Sequence, residues 1–320
     1  MPTDPLDEPR RYGSVVLFLR DAGVALLFVV IILLSMFAFT GQWPPLVVVE
    51  SKSMMHNNDS ISDLGVIDTG DLVLVQKVDD PSDIKTYIDG FATGYRTYGD
   101  YGDVVVYKNK GSETSTPIIH RAIIYLEYNA DDFSYRSESL RNIPSYKWTT
   151  SDKNDTWNHL TSQLVIYYVS YTSLTVTIDI PYVRALTASD SHGVPQNAFI
   201  TKGDNNPTID QLSSAFSPVQ MQWIVGKARG EIPWFGLLKL WSTHSLQSEA
   251  PSNSVRDLWI SIALIVVSPV FVDIVLTIRE RRAISRNKLR EAREALRIRR
   301  KEEIVEDDET SSEEKARRRY

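Results

Sequence analysis

The sequence predicts a mainly β domain that is anchored in a membrane by one N-terminal and one C-terminal transmembrane helix. Two long apolar runs predict these helices: residues 22–39 contain no charge, and residues 258–278 contain one, that of Asp273. A helix needs about 20 apolar residues to cross a bilayer. Between the two runs, short segments rich in β-branched and aromatic residues alternate with turn-rich segments, which is typical of β structure.

The first apolar run is interpreted as a transmembrane helix over residues 22–40, which follows an N-terminal segment of residues 1–21. A cleaved signal peptide is the alternative, because Ala38, Phe39 and Thr40 form a weak small-x-small match before Gly41. The apolar core of a signal peptide usually has about 7–15 residues, and this run is longer. We therefore expect a retained anchor.

The second apolar run predicts a transmembrane helix over residues 257–278. Charged residues inside a membrane are often functional. Asp273, however, lies five residues from the end of the run, and Arg279 follows closely, so we interpret Asp273 as paired or interfacial. The tail, residues 279–320, is dense in Arg and Glu and predicts a solvated helix, whose first turns could hold anionic lipid head groups.

The distribution of lysine and arginine predicts the orientation in the membrane. Residues 1–21 contain three of them and the tail after Ile278 contains fifteen, so both termini are expected in the cytoplasm. Residues 41–256 are then extracytoplasmic. They contain 17 basic and 24 acidic residues, and this acidic balance argues against a nucleic-acid partner.

The extracytoplasmic segment contains four strand-like runs and no helical pattern of ten residues. The runs are residues 104–108, 117–128, 164–180 and 198–203. Residues 129–197 are polar and irregular apart from the run 164–180, so we interpret them as an insertion in the domain. The role of this insertion stays open, as does glycosylation at Asn58 or Asn154.

The composition excludes several kinds of chemistry. The chain has no cysteine, which excludes disulfides, thiolate catalysis and cysteine-bound metal. The sequence also contains no recognisable constellation of metal ligands, so we expect neither a metal nor another cofactor.

A short polar segment with serines and methionines, ESKSMMH (50–56), indicates a nucleophile. A serine hydroxyl needs a base to remove its proton. Five histidines could serve, and they are His56, His120, His159, His192 and His244. His120 is favoured, because a strand would fix its position. A third group, a carboxylate, would orient the imidazole, and the segment TKGDNNPTID (201–210) offers Asp204 and Asp210.

Together these segments resemble type I signal peptidases of the archaeal and endoplasmic-reticulum branch. The resemblance rests on six motifs in the family's order, which are VVVESKSMMH (47–56), DTGDLVLVQKV (68–78), GDVVVY (102–107), IIHRAI (118–123), FITKGDNNPTID (199–210) and VGKARGEIPWFG (225–236). It covers about residues 20–240. The chain departs from the family at Lys52, at Met55-His56 and in the insertion, where relatives have a short connection.

The resemblance implies a role for each matched residue. Ser53 matches the nucleophile, His120 the general base and Asp210 the essential carboxylate. Asp204 matches a supporting aspartate, expected to cap backbone N–H groups of its own loop. Ser51 matches a hydroxyl that helps the backbone N–H of Ser53 to form the oxyanion hole.

Lysine is the alternative base, since the bacterial branch of the family uses one. Such a lysine must be neutral and therefore buried. Lys52 is expected to point away from Ser53, and Lys77 matches no base position, so histidine is favoured. Met54 and Met55 are expected to face apolar surface at the membrane, with simple core filling as the alternative for Met54.

The resemblance implies a membrane-bound serine endopeptidase that removes signal peptides from secreted preproteins. Its partners would be the preproteins, the lipid bilayer and, further, the protein translocation machinery. Two alternatives stay open. One is a non-catalytic, membrane-anchored β domain that binds an extracytoplasmic partner, and the other is a membrane serine protease of the same fold with other substrates.

Overall fold

The structure is a computed structural model that describes residues 11–56, 61–213, 215–244 and 250–317. The chain divides into two compact units, of which the first ends at Leu258 and the second begins at Trp259. In chain order the helices and strands are α1 (Arg11–Thr40), β1 (Leu46–Val48), β2 (Leu72–Gln76), α2 (Tyr87–Thr93), β3 (Arg96–Thr97), β4 (Asp100–Tyr101), β5 (Val104–Tyr107), β6 (Ile118–Asn129), β7 (Ser134–Arg136), β8 (Trp148–Thr150), β9 (Gln163–Val169), β10 (Leu174–Asp179), α3 (Ile180–Asp190), β11 (Ala198–Lys202), β12 (Ile224–Ile232), α4 (Gly236–Thr243) and α5 (Ser252–Arg317).

The fold is mixed and mostly sheet, with five α-helices in the part of the chain that the structure describes. The main sheet is antiparallel and has the order β1-β2-β12-β5-β6-β11, and β7 pairs with the far end of β6. A second sheet has the order β10-β9-β8, and β3 pairs with β4. The predicted β-rich domain is therefore present.

The middle of the main sheet positions the residues that matter for function. All four side chains of β5, with sequence VVVY, are buried, as expected for a central strand of β-branched and aromatic residues. In the register of the sheet, Val105 of β5 lies opposite His120 of β6, and Arg121 lies opposite Lys202 of β11. The strands predicted around residues 104–108, 117–128 and 198–203 are confirmed as β5, β6 and β11.

Among the residues that the structure describes, two helices are long and apolar enough to span a membrane, by length and composition. Their candidate spans are Phe18–Thr40 within α1 and Ser252–Arg286 within α5. Both helices are longer than the predicted spans of residues 22–40 and 257–278. α5 continues through Pro269 and into the charged tail as far as Arg317, in agreement with a helical tail.

Outside the run 164–180, the description of the insertion, residues 129–197, as irregular is wrong. This part contains β7, β8 and most of α3, and the run itself contains β9 and β10. The run 164–180, expected as one strand, is a hairpin: the chain reverses between β9 and β10, where the N–H of Ser173 donates to the carbonyl of Ser170 at 2.9 Å. Apolar residues of the insertion, including Leu164 and Ile178, share one core with α2 and β6.

The expectation that no helix of ten residues occurs in this domain is also wrong, because α3 has eleven. Asp179 caps α3 by accepting a hydrogen bond from the N–H of Tyr182. Pro181 lies in the first turn of the helix, where proline is favoured. The sequence Asp-Ile-Pro therefore indicates the start of a helix, at the end of a run that otherwise predicts a strand.

Candidate active site

The serine-containing segment, residues 49–56, directly follows β1 and will be called the serine loop. Its turn is closed by a hydrogen bond from the N–H of Met55 to the carbonyl of Lys52 at 3.2 Å. Met54 and Met55 are 1% and 0% exposed. The expectation that they face the membrane is wrong: both fill the core beneath the loop, and Thr69 donates a hydrogen bond to the Met55 sulfur at 3.7 Å.

The two serines of this loop lie side by side. Ser51 Oγ and Ser53 Oγ are 3.2 Å apart, within hydrogen-bonding distance. Both residues line a cleft of about 260 Å³ that His120 also lines. The structure therefore brings the predicted nucleophile and the predicted base to one cavity.

His120 is held from behind by Asp210. His120 Nδ1 lies 2.6 Å from Asp210 Oδ2, and both side chains are buried. The same carboxylate oxygen accepts hydrogen bonds from Thr201 Oγ1 at 2.7 Å and from Tyr107 Oη at 3.0 Å. An ionised Asp210 selects the tautomer in which Nδ1 carries the proton and donates to it, which leaves Nε2 as an acceptor.

Tyr107 and Thr201 keep the Asp210 carboxylate in place. Burial, together with the negative charge of Asp210, raises the pKa of Tyr107 well above its ordinary value. The phenol is therefore protonated and acts as a donor. The sequence did not predict a role for either hydroxyl, although Tyr107 and Thr201 belong to strands that it does predict.

In the described part of the chain, no hydrogen bond joins Ser53 to His120, and the Ser53 hydroxyl instead contacts that of Ser51. In proteases of this chemical type the nucleophile donates to the base. Such contacts are often long or poorly aligned before substrate binds. The His120–Asp210 pair thus has the geometry of the orienting half of a Ser-His-Asp triad, and Ser53 lines the same cleft as His120.

Gly203 lies between the serine loop and the imidazole. A methyl group at this position would be 2.6 Å from the carbonyl oxygen of Ser53 and 2.9 Å from His120 Nε2. Any side chain would force these groups apart. The glycine of the GDNN block therefore permits the close approach of Ser53 and His120, a role that the sequence analysis did not assign.

Asn205 attaches the GDNN block to the serine loop. Its backbone N–H donates to the carbonyl of Ser53 at 2.9 Å, and its side-chain Nδ2 donates to the carbonyl of Lys52 at 3.1 Å. Lys202, which is buried, donates to the carbonyls of Gly203 and Asp204 at 2.9 and 3.1 Å. Neither residue was predicted, because the sequence motifs pointed only to a nucleophile, a base and a carboxylate.

Asp204 lies on the other side of the same loop and has a different partner from Asp210. Arg121, fully buried, donates to both of its oxygens, at 2.8 and 2.5 Å. His56 Nε2 lies 2.9 Å from Asp204 Oδ2. The expectation that Asp204 caps backbone N–H groups of its own loop is wrong, because a buried guanidinium and an imidazole occupy the carboxylate.

The electrostatics of Asp204 follow from these partners. Burial disfavours its charged form, but the charge and hydrogen bonds of Arg121 and the hydrogen bond of His56 outweigh burial and lower the pKa to about 2. Arg121 also donates to the carbonyls of Gly102 and Thr97 at 3.0 and 3.1 Å. Asp204 is therefore a charged structural anchor at neutral pH.

Lys52 and Lys77 were the lysines considered as alternative bases, and Lys202 was not. Lys77 is half exposed and pairs with Asp79 at 2.5 Å. Lys202 is buried, and burial lowers its pKa, but its ammonium group is directed to two backbone carbonyls. Among the described residues, no group of three or more His, Asp or Glu side chains is arranged to hold a metal ion.

Comparison of the sequence with protein-family models gives no match, and comparison with curated proteins gives none either.

Proposed function

We propose that this chain is a membrane-bound serine endopeptidase, similar to type I signal peptidases, that removes signal peptides from secreted preproteins. The observation that carries the proposal is the 2.6 Å contact between His120 Nδ1 and Asp210 Oδ2, made in the wall of the cleft that Ser53 lines. A buried, hydrogen-bonded carboxylate behind an imidazole is the arrangement that prepares a general base.

In the proposed reaction, Ser53 Oγ attacks the carbonyl carbon of the scissile peptide bond while His120 Nε2 accepts the hydroxyl proton. The imidazolium then gives this proton to the departing amine as the C–N bond breaks, which leaves an ester on Ser53. Water attacks the ester with His120 again as the base, and the proton returns to Ser53. Asp210 stabilises the imidazolium in both steps.

Ser51 is proposed to support the oxyanion. Its hydroxyl lies next to Ser53, where it could turn from Ser53 Oγ toward the oxygen of a tetrahedral intermediate beside the Ser53 backbone N–H. Removal of one such donor typically costs about 3 kcal/mol of transition-state stabilisation.

The substrate is proposed to bind as an extended strand between residues 46–52 and 117–120. β1 is an edge strand, so its free side can pair with a peptide. The cleft beside it has apolar walls that include Val49 and Ile119. Its small volume suits the small side chains found before a signal-peptide cleavage site.

The two apolar helices are proposed to anchor the protein in the cell membrane, with the β domain on the extracytoplasmic side and both termini in the cytoplasm. This places the cleft where exported preproteins emerge. The bilayer and the preproteins are the proposed partners, together with the translocation machinery that delivers them.

One assay tests the proposal against its alternatives. The full chain in detergent is incubated with a preprotein and with a variant of that preprotein that carries a bulky residue immediately before the cleavage site. We expect cleavage of the first alone. Cleavage of both would indicate a membrane protease with other substrates, and cleavage of neither would indicate a non-catalytic β domain.

A further inference from the structure

The end of β9 and the turn that leads to β10, together residues 168–173, reach the candidate active site. This segment will be called the insertion tip. Three of its residues, Tyr168, Ser170 and Ser173, have left-handed backbone angles, with φ of +55°, +68° and +55°. Residues other than glycine rarely adopt this backbone conformation. It is kept only where the surrounding structure enforces it.

The insertion tip is fixed from the side of the domain core. Two side chains donate to the carbonyl of Tyr168: Tyr87 Oη at 2.8 Å and Lys147 Nζ at 2.7 Å. Tyr87 belongs to α2, and both donors are buried. The turn is therefore anchored to the common core of α2 and the insertion.

From this anchored position, the tip contacts both loops of the candidate active site. Ser170 Oγ donates to the backbone carbonyl of Asp204 at 3.2 Å. The ring of Tyr171 stacks on the ring of His56, with centroids 4.2 Å apart and an interplanar angle of 25°. His56 is three residues beyond Ser53 and is joined to the Asp204 carboxylate at 2.9 Å.

We infer that the insertion tip is a positioning element for the active site, in which Tyr171 holds His56 against Asp204 and thereby fixes the serine loop relative to the GDNN block. The inference rests on the proposed function. Tyr171 and His56 touch no reacting atom, so both are positioning residues. The serine loop is attached to the GDNN block at Ser53 through Asn205 and at His56 through Asp204, and the tip secures the second attachment.

The enzymatic test compares Tyr171→Ala with Tyr171→Phe and with Tyr168→Ala. Tyr168 is in the same turn, but its side chain is 61% exposed, so its truncation is the matched control. We expect Tyr171→Ala to lower kcat about 10- to 100-fold with little change in KM, since a misplacement of about 1 Å can cost about 10²-fold in rate. Tyr171→Phe keeps the stacked ring and should restore kcat, and Tyr168→Ala should match the unmodified protein. An unchanged kcat in folded Tyr171→Ala would overturn the inference.

Hydrogen–deuterium exchange tests the same inference without an activity. We expect the backbone of residues 50–56 to exchange faster in Tyr171→Ala than in the unmodified protein, while β5, in the buried centre of the sheet, exchanges equally in both. If Tyr171→Ala does not fold, Ser170→Ala takes its place in both measurements. If the unmodified protein cleaves no preprotein, the proposed function fails, and the exchange of residues 50–56 still decides whether the tip fixes the serine loop. Equal exchange in this segment would contradict that role.

Discussion

His120 and Asp210 are 90 residues apart in the sequence, yet His120 Nδ1 and Asp210 Oδ2 are joined at 2.6 Å in the interior of the domain. β6 supplies the histidine, and the short helical turn Asp210–Leu212, which follows β11 and the GDNN block, supplies the aspartate. Because β6 and β11 are paired in the main sheet and Thr201 of β11 donates to the Asp210 carboxylate, the sheet helps to set the distance between the two side chains.

Replacement of Asp210 by Asn should abolish cleavage while the protein stays folded. The amide has almost the same shape as the carboxylate, but it cannot favour the tautomer in which Nδ1 of His120 carries the proton. In serine proteases such a change lowers the rate about 10⁴-fold. Single-turnover cleavage rates and melting temperatures of the purified proteins measure the effect. Normal cleavage by Asp210→Asn would show that another group orients the base.

Replacement of Asp204 by Asn should instead act mainly on stability. Removal of one partner of a buried ion pair typically costs about 3–5 kcal/mol, and Arg121 would lose the charge that compensates it. We expect a lower melting temperature and a smaller loss of activity than in Asp210→Asn. A well-folded but inactive Asp204→Asn, together with an active Asp210→Asn, would reverse the two assignments.

The ion pair of Asp204 should also make stability depend on pH in the acid range. The folded pKa, about 2, lies below the ordinary value of 3.8, so the stabilisation is present above pH 4 and is lost as the pH falls through 2. The shift corresponds to roughly 2 kcal/mol. Chemical denaturation at several pH values should therefore show the difference in stability between the unmodified protein and Asp204→Asn shrinking below pH 4. A difference that is constant from pH 6 to pH 2 would contradict the ionised pair.

The different roles of Asp204 and Asp210 could be predicted from the sequence only in part. The family resemblance assigned the essential role to Asp210, and its contact with His120 agrees with that assignment. Arg121, the buried partner of Asp204, was not predicted, although Arg121 directly follows His120 in the sequence. Successive side chains of a strand point to opposite faces, so His120 and Arg121 are directed to different carboxylates. Strand alternation applied to these two residues would have suggested the Arg121–Asp204 pair.

Three strands of the main sheet, β5, β6 and β11, could be predicted because runs of β-branched and aromatic residues, such as VVVY in β5, are decisive locally. The hairpin of the insertion could not be predicted from local sequence. It reverses at Ser170–Ser173 without glycine or proline, and the conformation there is imposed by contacts of Tyr168 with distant residues. The stacking of Tyr171 on His56 joins segments that are 115 positions apart, and no local pattern records such a contact.

Replacement of Gly203 by Ala should lower the cleavage rate strongly. The added methyl group would lie 2.6 Å from the Ser53 carbonyl oxygen and 2.9 Å from His120 Nε2, so these groups must move apart. We expect a loss of roughly 10²-fold in rate. Gly23→Ala in α1 is the control, because a methyl group there meets no atom within 4 Å. Equal cleavage rates in the two variants would contradict the proposed contact between the loop and the base.

The proposed orientation in the membrane can be tested on intact cells. Protease added from outside should cut the domain within residues 129–197 and should leave a tag placed after Tyr320 intact. Permeabilised cells provide the control, in which the tag is also digested. Loss of the tag in intact cells would contradict a two-span arrangement with both termini in the cytoplasm.

The most direct measurement is the cleavage of a purified preprotein by the unmodified chain and by Ser53→Ala, with the new N-terminus identified by mass spectrometry. The account predicts that the unmodified chain cuts the preprotein at one bond just beyond the apolar core of its signal peptide. It predicts that Ser53→Ala, although folded, loses several orders of magnitude in rate, since the members of a catalytic triad act as a unit. Cleavage by Ser53→Ala at the unmodified rate, or no cleavage by the unmodified chain, would contradict it.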